Sequence, residues 1–266
     1  MRCVATGASV PAFALVFAAS LGAQTDYYNT GAGRPLRIED AQSIEFRAIE
    51  MNVAPFRLER ARGGAYRWSV HPEVGLGLLP RTQLELGLPL AYVEAPGAAS
   101  RTGIAGVELA ALHTLNAETT IPAIAVGADI FLPVGSLAGD DAYATFKGIV
   151  TRTLPWARFH VNAAMTAGPS IALDEGAESE HADVSRWLVG LAVDKTFPLR
   201  SLLIGAEMFA EQPVDPSATI AWSAGVGTRF QLTPRWTLDS GLGRRFSGDD
   251  HSWYLTLGSA FAIGIP

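Results

Sequence analysis

Between residue 43 and the end of the chain one hairpin pattern recurs: about ten residues of alternating apolar and polar character, a tight connection, a second such stretch, then a longer polar link. The stretch from Thr82 to Val93 shows it best. Leu84, Leu86, Leu88, Leu90 and Tyr92 fall on one parity, and Gln83, Glu85, Gly87, Pro89 and Ala91 on the other. Strand side chains alternate faces with period two, so one face is greasy and the other carries a carboxylate. Such dyads suit a membrane barrel, with lipid outside and a polar lumen inside.

Twelve strands are predicted, at 43–60, 65–79, 82–93, 103–114, 120–133, 143–153, 157–168, 184–195, 201–211, 218–231, 236–247 and 252–264. Connections centred on Pro80, Asn116, Pro155, Pro198 and Pro234 are short. The links 94–102, 134–142, 169–183, 212–217 and 248–251 are longer and rich in Gly, Pro, Ser, Asp and Glu, while Arg62-Gly63-Gly64 is a short exception among them. Outer-membrane barrels have short periplasmic turns and longer external loops. The expected fold is therefore all-β, a closed antiparallel up-and-down transmembrane β-barrel over 43–266 with both barrel termini periplasmic. Glycines inside strands, such as Gly75, Gly77, Gly225 and Gly227, are read as bends that let the sheet close.

Sorting each strand by face separates lipid contact from lumen. Trp68, Val70, Val74, Leu76 and Leu78 are expected outside, as are Trp187, Val189, Leu191 and Val193, then Ile220, Trp222, Val226 and Phe230, and finally Trp253, Leu255, Leu257, Phe261 and Ile263. Tryptophans near strand ends suit an interfacial aromatic girdle. The opposite faces carry Arg67, His71, Glu73, Glu85, Glu108, Asp129, Lys147, Arg158, His160, Arg186, Asp194, Glu207, Glu211, Arg229, Asp239 and Arg245. An Arg or Lys facing lipid at the midplane costs roughly 2–4 kcal/mol, so these are read as lumen-lining. The first strand adds Glu45, Arg47, Glu50, Asn52, Arg57 and Glu59, with a parity slip between Ala48 and Ile49 that a bulge there would absorb. The charges line a hydrated path or close the lumen by pairing; both readings stand at this level.

Arg2, the apolar run from Val10 to Leu21 and the small residues Gly22-Ala23 before Gln24 read as a secretory signal peptide over 1–23. Residues 24–42 then form an N-terminal periplasmic segment or plug, whose Arg34 and Arg37 are expected to seek lumen carboxylates such as Glu85 and Glu108. The single cysteine, Cys3, lies in the signal, so the mature chain has no thiol chemistry. Without Arg2 the chain keeps 19 basic against 26 acidic residues, a balance that argues against a nucleic-acid partner.

Catalytic patterns are weak. His71 with Glu73, or His160 with a lumen Ser or Asp, is the nearest approach to a hydrolase pair, and no Gly-x-Ser-x-Gly elbow occurs. His113, His181 and His251 are scattered without zinc-site spacing. The acidic run Asp174 to Asp183 matches no calcium loop. The chain is read as a non-enzyme with no cofactor and no metal.

Three stretches, Asp26 to Ala41, Leu58-Glu59-Arg60-Ala61-Arg62-Gly63-Gly64, and Leu79 to Leu90, resemble bacterial outer-membrane proteins of the MetA-pathway of phenol degradation family. That resemblance implies an outer-membrane transporter, in some members linked to aromatic compounds, and no defined catalytic residues. The end of the chain departs from the terminal aromatic of many outer-membrane barrels, with Phe261 the nearest one. The functional expectation is a channel or transporter for passive uptake of small, aromatic or hydrophobic solutes, partnered by outer-membrane lipid and the solute, with oligomeric state unassigned. The alternative is a structural or interaction barrel closed by salt bridges.

Overall fold

The structure, a computed structural model, describes residues 29–31, 34–60, 64–170, 184–214, 218–246 and 251–265. The signal-peptide reading and the acidic run 174–183 lie outside them. Alternating sequence gives fifteen strand segments: β1 (Ala48–Arg60), β2 (Tyr66–Val70), β3 (Glu73–Leu79), β4 (Thr82–Gly87), β5 (Leu90–Glu94), β6 (Arg101–Ile104), β7 (Val107–Asn116), β8 (Ala123–Leu132), β9 (Tyr143–Thr153), β10 (Arg158–Ala167), β11 (Ser185–Thr196), β12 (Leu202–Pro213), β13 (Ala221–Thr233), β14 (Trp236–Arg245) and β15 (Trp253–Gly264). Every pairing is antiparallel, and β15 returns to β1 from Ala48↔Gly264 to Arg60↔Trp253, so the sheet closes. No helix among the described residues is long and apolar enough to cross a membrane.

The fifteen segments make twelve staves, because β2 with β3, β4 with β5, and β6 with β7 are each one stave broken midway. β1 accordingly pairs with β2 through Phe56–Arg60 and with β3 through Ile49–Asn52. Two of the breaks hold a proline, Pro72 and Pro89, while the third falls at Ala105 and Gly106 (φ 146°), and Pro55 stands within the neighbouring β1. Pro55, Pro72 and Pro89 stand on three neighbouring staves and lack the N–H a ladder needs. Each accepts instead, from the N–H of His71 at 3.0 Å, Leu88 at 3.0 Å and Ala105 at 2.8 Å respectively. Beyond the breaks β6 pairs with β5 alone among the described strands, and the segment after β8 covers its free side through a Leu137 N–H donated to the Ile104 carbonyl.

The faces divide as alternation demands. Val74, Val189, Leu191, Trp222, Val226, Trp253 and Ile263 are exposed on the outside, where lipid would cover them. Their neighbours at the other parity face the interior. Two expectations need correction. The first strand begins at Ala48, not residue 43, because Arg47 adopts a left-handed conformation (φ 63°) that turns the chain into the wall. No bulge falls at Ala48/Ile49, because Glu45 and Arg47 precede the strand; the register shift lies between Val53 and Phe56, around Pro55, where the inward parity passes from Asn52 to Arg57.

Candidate functional site

The turn end of the barrel, where β1 starts and β15 stops, holds residues 34–47 inside. Following this segment forward, its contacts pass around the wall in reverse stave order. Arg34 stands between Asp239 on β14 (3.5 Å) and Glu73 on β3 (3.7 Å). The Ile38 N–H donates to Glu207 on β12 at 2.9 Å, and the Glu39 N–H to Asn162 on β10 at 2.8 Å, while the Asn162 amide returns a bond to the Glu39 carbonyl at 2.8 Å. The Ala41 N–H reaches the Thr151 hydroxyl on β9 at 2.9 Å, and the Thr114 hydroxyl on β7 donates to the Ala41 carbonyl at 2.8 Å. The Ile44 N–H ends the circuit on Gln83 of β4 at 2.7 Å. The segment is thus a hoop running once round the inner wall before it becomes β1. An extended chain away from any ladder must find partners for its amides, and here lumen side chains supply them.

Glycines make the room. A Cβ added to Gly190 would lie 2.3 Å from Ile38, one on Gly205 2.7 Å from Leu36, and one on Gly227 2.8 Å from Pro35. One on Gly77 would lie 1.9 Å from the Glu45 carbonyl oxygen. Gly205, Gly227 and Gly241 are cross-strand partners, so three adjacent staves present a smooth track at one level. Pro35 and Leu36 seat on it, Ile38 lies against Gly190, and the two aliphatics cluster with Leu188, Ala192 and Phe209, while Ala41 packs with Leu112, Ala123, Ala125 and Ile149. Full burial of an aliphatic side chain contributes about 1.5–3 kcal/mol, so the aliphatic pair is the hoop's main apolar anchor.

Ion pairs fix it from both sides. Lys147 on β9 holds Glu39 at 2.9 Å and Asp129 at 3.4 Å. Arg158 bonds Asp194 at 2.9 Å and stands 3.5 Å from Asp40 on the hoop. Burial pushes the Asp40 carboxyl up to about 6, against the opposing pull of Arg158 and His160. Asp40 also closes the hoop on its own start, since its N–H donates to the Thr30 carbonyl at 3.0 Å and its carboxylate accepts from the Thr30 N–H at 3.2 Å. Arg229 on β13 donates to the carbonyls of Asn29 and, at 3.0 Å, Arg34. Thr30 and Ile38 are both 0% exposed.

Above the hoop lies a cavity of about 260 Å³ toward the loop end, with Arg34, Arg37 and Glu39 in its floor. Its wall includes Arg67, His71, Glu73, Glu85, Glu108, Asp129 and Lys147, with Phe56, Pro89, Phe131 and Leu188 among the apolar lining. Glu73, Glu85, Glu108 and Asp129 come from the consecutive staves of β3, β4, β7 and β8 and form an acidic arc. His71 lies 3.3 Å from Glu108 and 3.7 Å from Glu73.

The charged residues singled out in the sequence therefore fall into three groups. Arg67, His71, Glu73, Glu85, Glu108, Asp129 and Lys147 surround the cavity. Arg158, His160, Asp194, Glu207, Arg229 and Asp239 are buried or nearly so at hoop level. Glu211 with Arg245 (3.1 Å) pairs nearer the loops, and Arg186 donates to the carbonyls of Thr166 and Gly168 at the rim. Arg34 takes Glu73 and Asp239 as partners, not the expected Glu85 and Glu108. Pairs across the wall, such as Lys147–Asp129, Arg158–Asp194, Arg229–Asp239 and Arg245–Glu211, are joined by pairs from the wall to Arg34, Glu39 and Asp40 of the hoop.

Three groups resemble a hydrolase relay in outline: Thr151 lies 3.0 Å from His160 Nδ1, and His160 Nε2 lies 2.9 Å from Asp194. His160 is 0% exposed, and the Thr151 hydroxyl is already engaged by the Ala41 amide. The geometry suits a hoop anchor rather than a nucleophile that needs substrate access. Among the described residues no group of three His, Cys, Asp or Glu side chains could hold a metal ion.

No family model and no curated protein matches the chain, so the resemblance to the MetA-pathway of phenol degradation family is not confirmed. Solved structures match its fold. The COG4313 outer membrane channel from Pseudomonas putida F1 superposes with a TM-score of 0.58 and 14% identity, covering 84% of this chain and 98% of that one. The beta domain of the Bordetella autotransporter BrkA superposes with a TM-score of 0.51 and 11% identity, covering 81% and 99%. The likeness is one of architecture: this chain has the fold of outer-membrane β-barrels.

Proposed function

We propose that the protein is an outer-membrane channel for small solutes, with a loop-end vestibule that receives the solute and a hoop that gates the axial route. The observation that carries this reading is the contrast in filling: a cavity of about 260 Å³ stands directly on a hoop in which Arg34, Pro35, Leu36, Ile38, Asp40 and Ala41 are all buried. The vestibule is sized for one small organic molecule, and pockets of this kind combine apolar lining with a few polar groups that orient the ligand. Phe56, Phe131, Pro89 and Leu188 supply the apolar part here, which supports an aromatic or hydrophobic solute. In the outer membrane the loop end would face outward and the hoop the periplasm.

The wall offers a second route. Pro55, Pro72 and Pro89 interrupt the ladder beside the vestibule, and β6 has no strand partner on its far side among the described strands. An apolar solute leaving there would pass toward lipid without moving the hoop. A cysteine pair at Ile38 and Gly190 separates the routes, because Ile38 Cγ1 stands 3.1 Å from where a Cβ on Gly190 would lie. Proteoliposome swelling in isosmotic arabinose or sodium benzoate is the readout. The gate reading expects influx to rise when the disulfide is reduced, whereas equal benzoate influx in both states assigns passage to the wall. No solute-dependent influx in either state would leave a sealed interaction barrel and defeat the channel.

A further inference from the structure

We propose that the turn half of the lumen is a peptide-binding site, and that the hoop is its tethered ligand, replaceable by the same extended sequence supplied in trans. The proposal rests on the hoop reading above but concerns recognition, not passage. Four features of the wall point to a receptor for extended chain. Side chains from four staves, Glu207, Asn162, Thr151 and Gln83, accept the backbone amides of Ile38, Glu39, Ala41 and Ile44. Gly205, Gly227 and Gly241 leave a track on which Pro35 and Leu36 lie without meeting a Cβ.

Side-chain pockets then read the sequence in order. Arg34 enters a buried acidic pocket between Asp239 and Glu73, the aliphatic pair enters the Leu188–Phe209 cluster, and Glu39 and Asp40 meet Lys147 and Arg158. Reciprocal bonds between Asn162 and the Glu39 backbone fix the register, since both partners of one residue's peptide group are satisfied at once. The ligand class is therefore an extended peptide carrying a cation and a proline, two aliphatics one residue apart, and then two adjacent carboxylates. A periplasmic chain end with that chemistry would compete with the hoop. An intramolecular ligand enjoys a high effective concentration, so the site is occupied until the tether is cut or a competitor is abundant.

The test uses the full chain with a protease site inserted between Phe46 and Arg47, on a turn where Phe46 is 51% exposed. The protein is folded first and cut afterwards. The expected result is that the cut segment stays with the barrel on gel filtration and exchanges for a labelled peptide of residues 34–46. Binding is saturable and competed by unlabelled peptide. Replacing Leu36→Asp and Ile38→Asp in the peptide weakens it by about a hundredfold or more. Loss of the segment on the first column with no uptake of labelled peptide overturns the proposal, as does equal binding of a scrambled peptide. If the insertion impairs folding, hydrogen exchange on the uncut chain decides. Excess 34–46 peptide should speed exchange at Ile38, Glu39, Ala41 and Ile44, and unchanged rates overturn the proposal. Peptide binding without any change in solute influx would instead sink the gate and leave this site standing.

Discussion

The two halves of the lumen solve opposite problems with the same alternating strands. In the turn half the inward positions combine glycines with buried, partnered charges such as Arg158, Asp194, Glu207 and Asp239, and a second stretch of chain lies among them. In the loop half they are carboxylates, guanidiniums and aromatics, and the space stays open at about 260 Å³. A barrel of this size lies between the side-chain-filled eight-stranded kind and the open sixteen-stranded porins. Here the intermediate bore is divided by height. One half is closed by packing, and the other is lined by charge.

That contrast can be broken most severely from the glycine side. Gly77→Ala with Gly227→Ala places Cβ atoms 1.9 Å from the Glu45 carbonyl oxygen and 2.8 Å from Pro35, so the hoop must leave its seat. Protease cutting near residues 34–46 should rise to the level of an unseated chain. Gly148→Ala, where nothing lies within 4 Å, should leave both cutting and stability unchanged within about 0.5 kcal/mol. A smaller effect is expected from Ile38→Ala. Losing a fully buried aliphatic costs about 2–5 kcal/mol of hoop seating, which hydrogen exchange at the Ala41 amide would measure.

The loop half should respond in selectivity instead. Glu85→Gln removes one carboxylate of the arc without touching a hoop hydrogen bond, so the reversal potential in a salt gradient should shift toward anions while hoop exchange stays constant. The mildest test is pH. Asp40 sits on the hoop with its carboxyl raised from 3.8 to about 6. A raised acid contributes stability that is full below its unfolded value and is lost as pH rises through its folded one. The protection of hoop amides, taken relative to an unstructured peptide at the same pH, should therefore rise as pH falls from about 6 toward 4, and Asp40→Asn should flatten that dependence.

The barrel was legible because alternation is local. Leu84, Leu86 and Leu88 against Gln83, Glu85 and Gly87 assign faces without knowledge of any neighbouring strand. The hoop's course was not. Gly205, Gly227 and Gly241 look like bends in a linear sequence, and only their cross-strand register reveals a continuous track. Arg34 shows the same limit: carboxylates were visible as possible partners, but the choice of Asp239 and Glu73 depends on where the hoop crosses β14 and β3. Pro72 and Pro89 were visible inside strands, yet their shared level beside Pro55 appears only once the staves are paired.

The most direct test of the divided lumen is single-channel conductance in a planar bilayer, comparing the full chain with one lacking residues 29–45 whose folding is checked by its heat-modifiable mobility. Removing the hoop should convert a nearly silent barrel into a steadily conducting one, because the glycines and the charged wall residues Arg158, Asp194, Glu207, Arg229 and Asp239 would then face open space where the hoop had lain. Equal conductance from two folded barrels would mean that the segment does not close the lumen, and the account would fail.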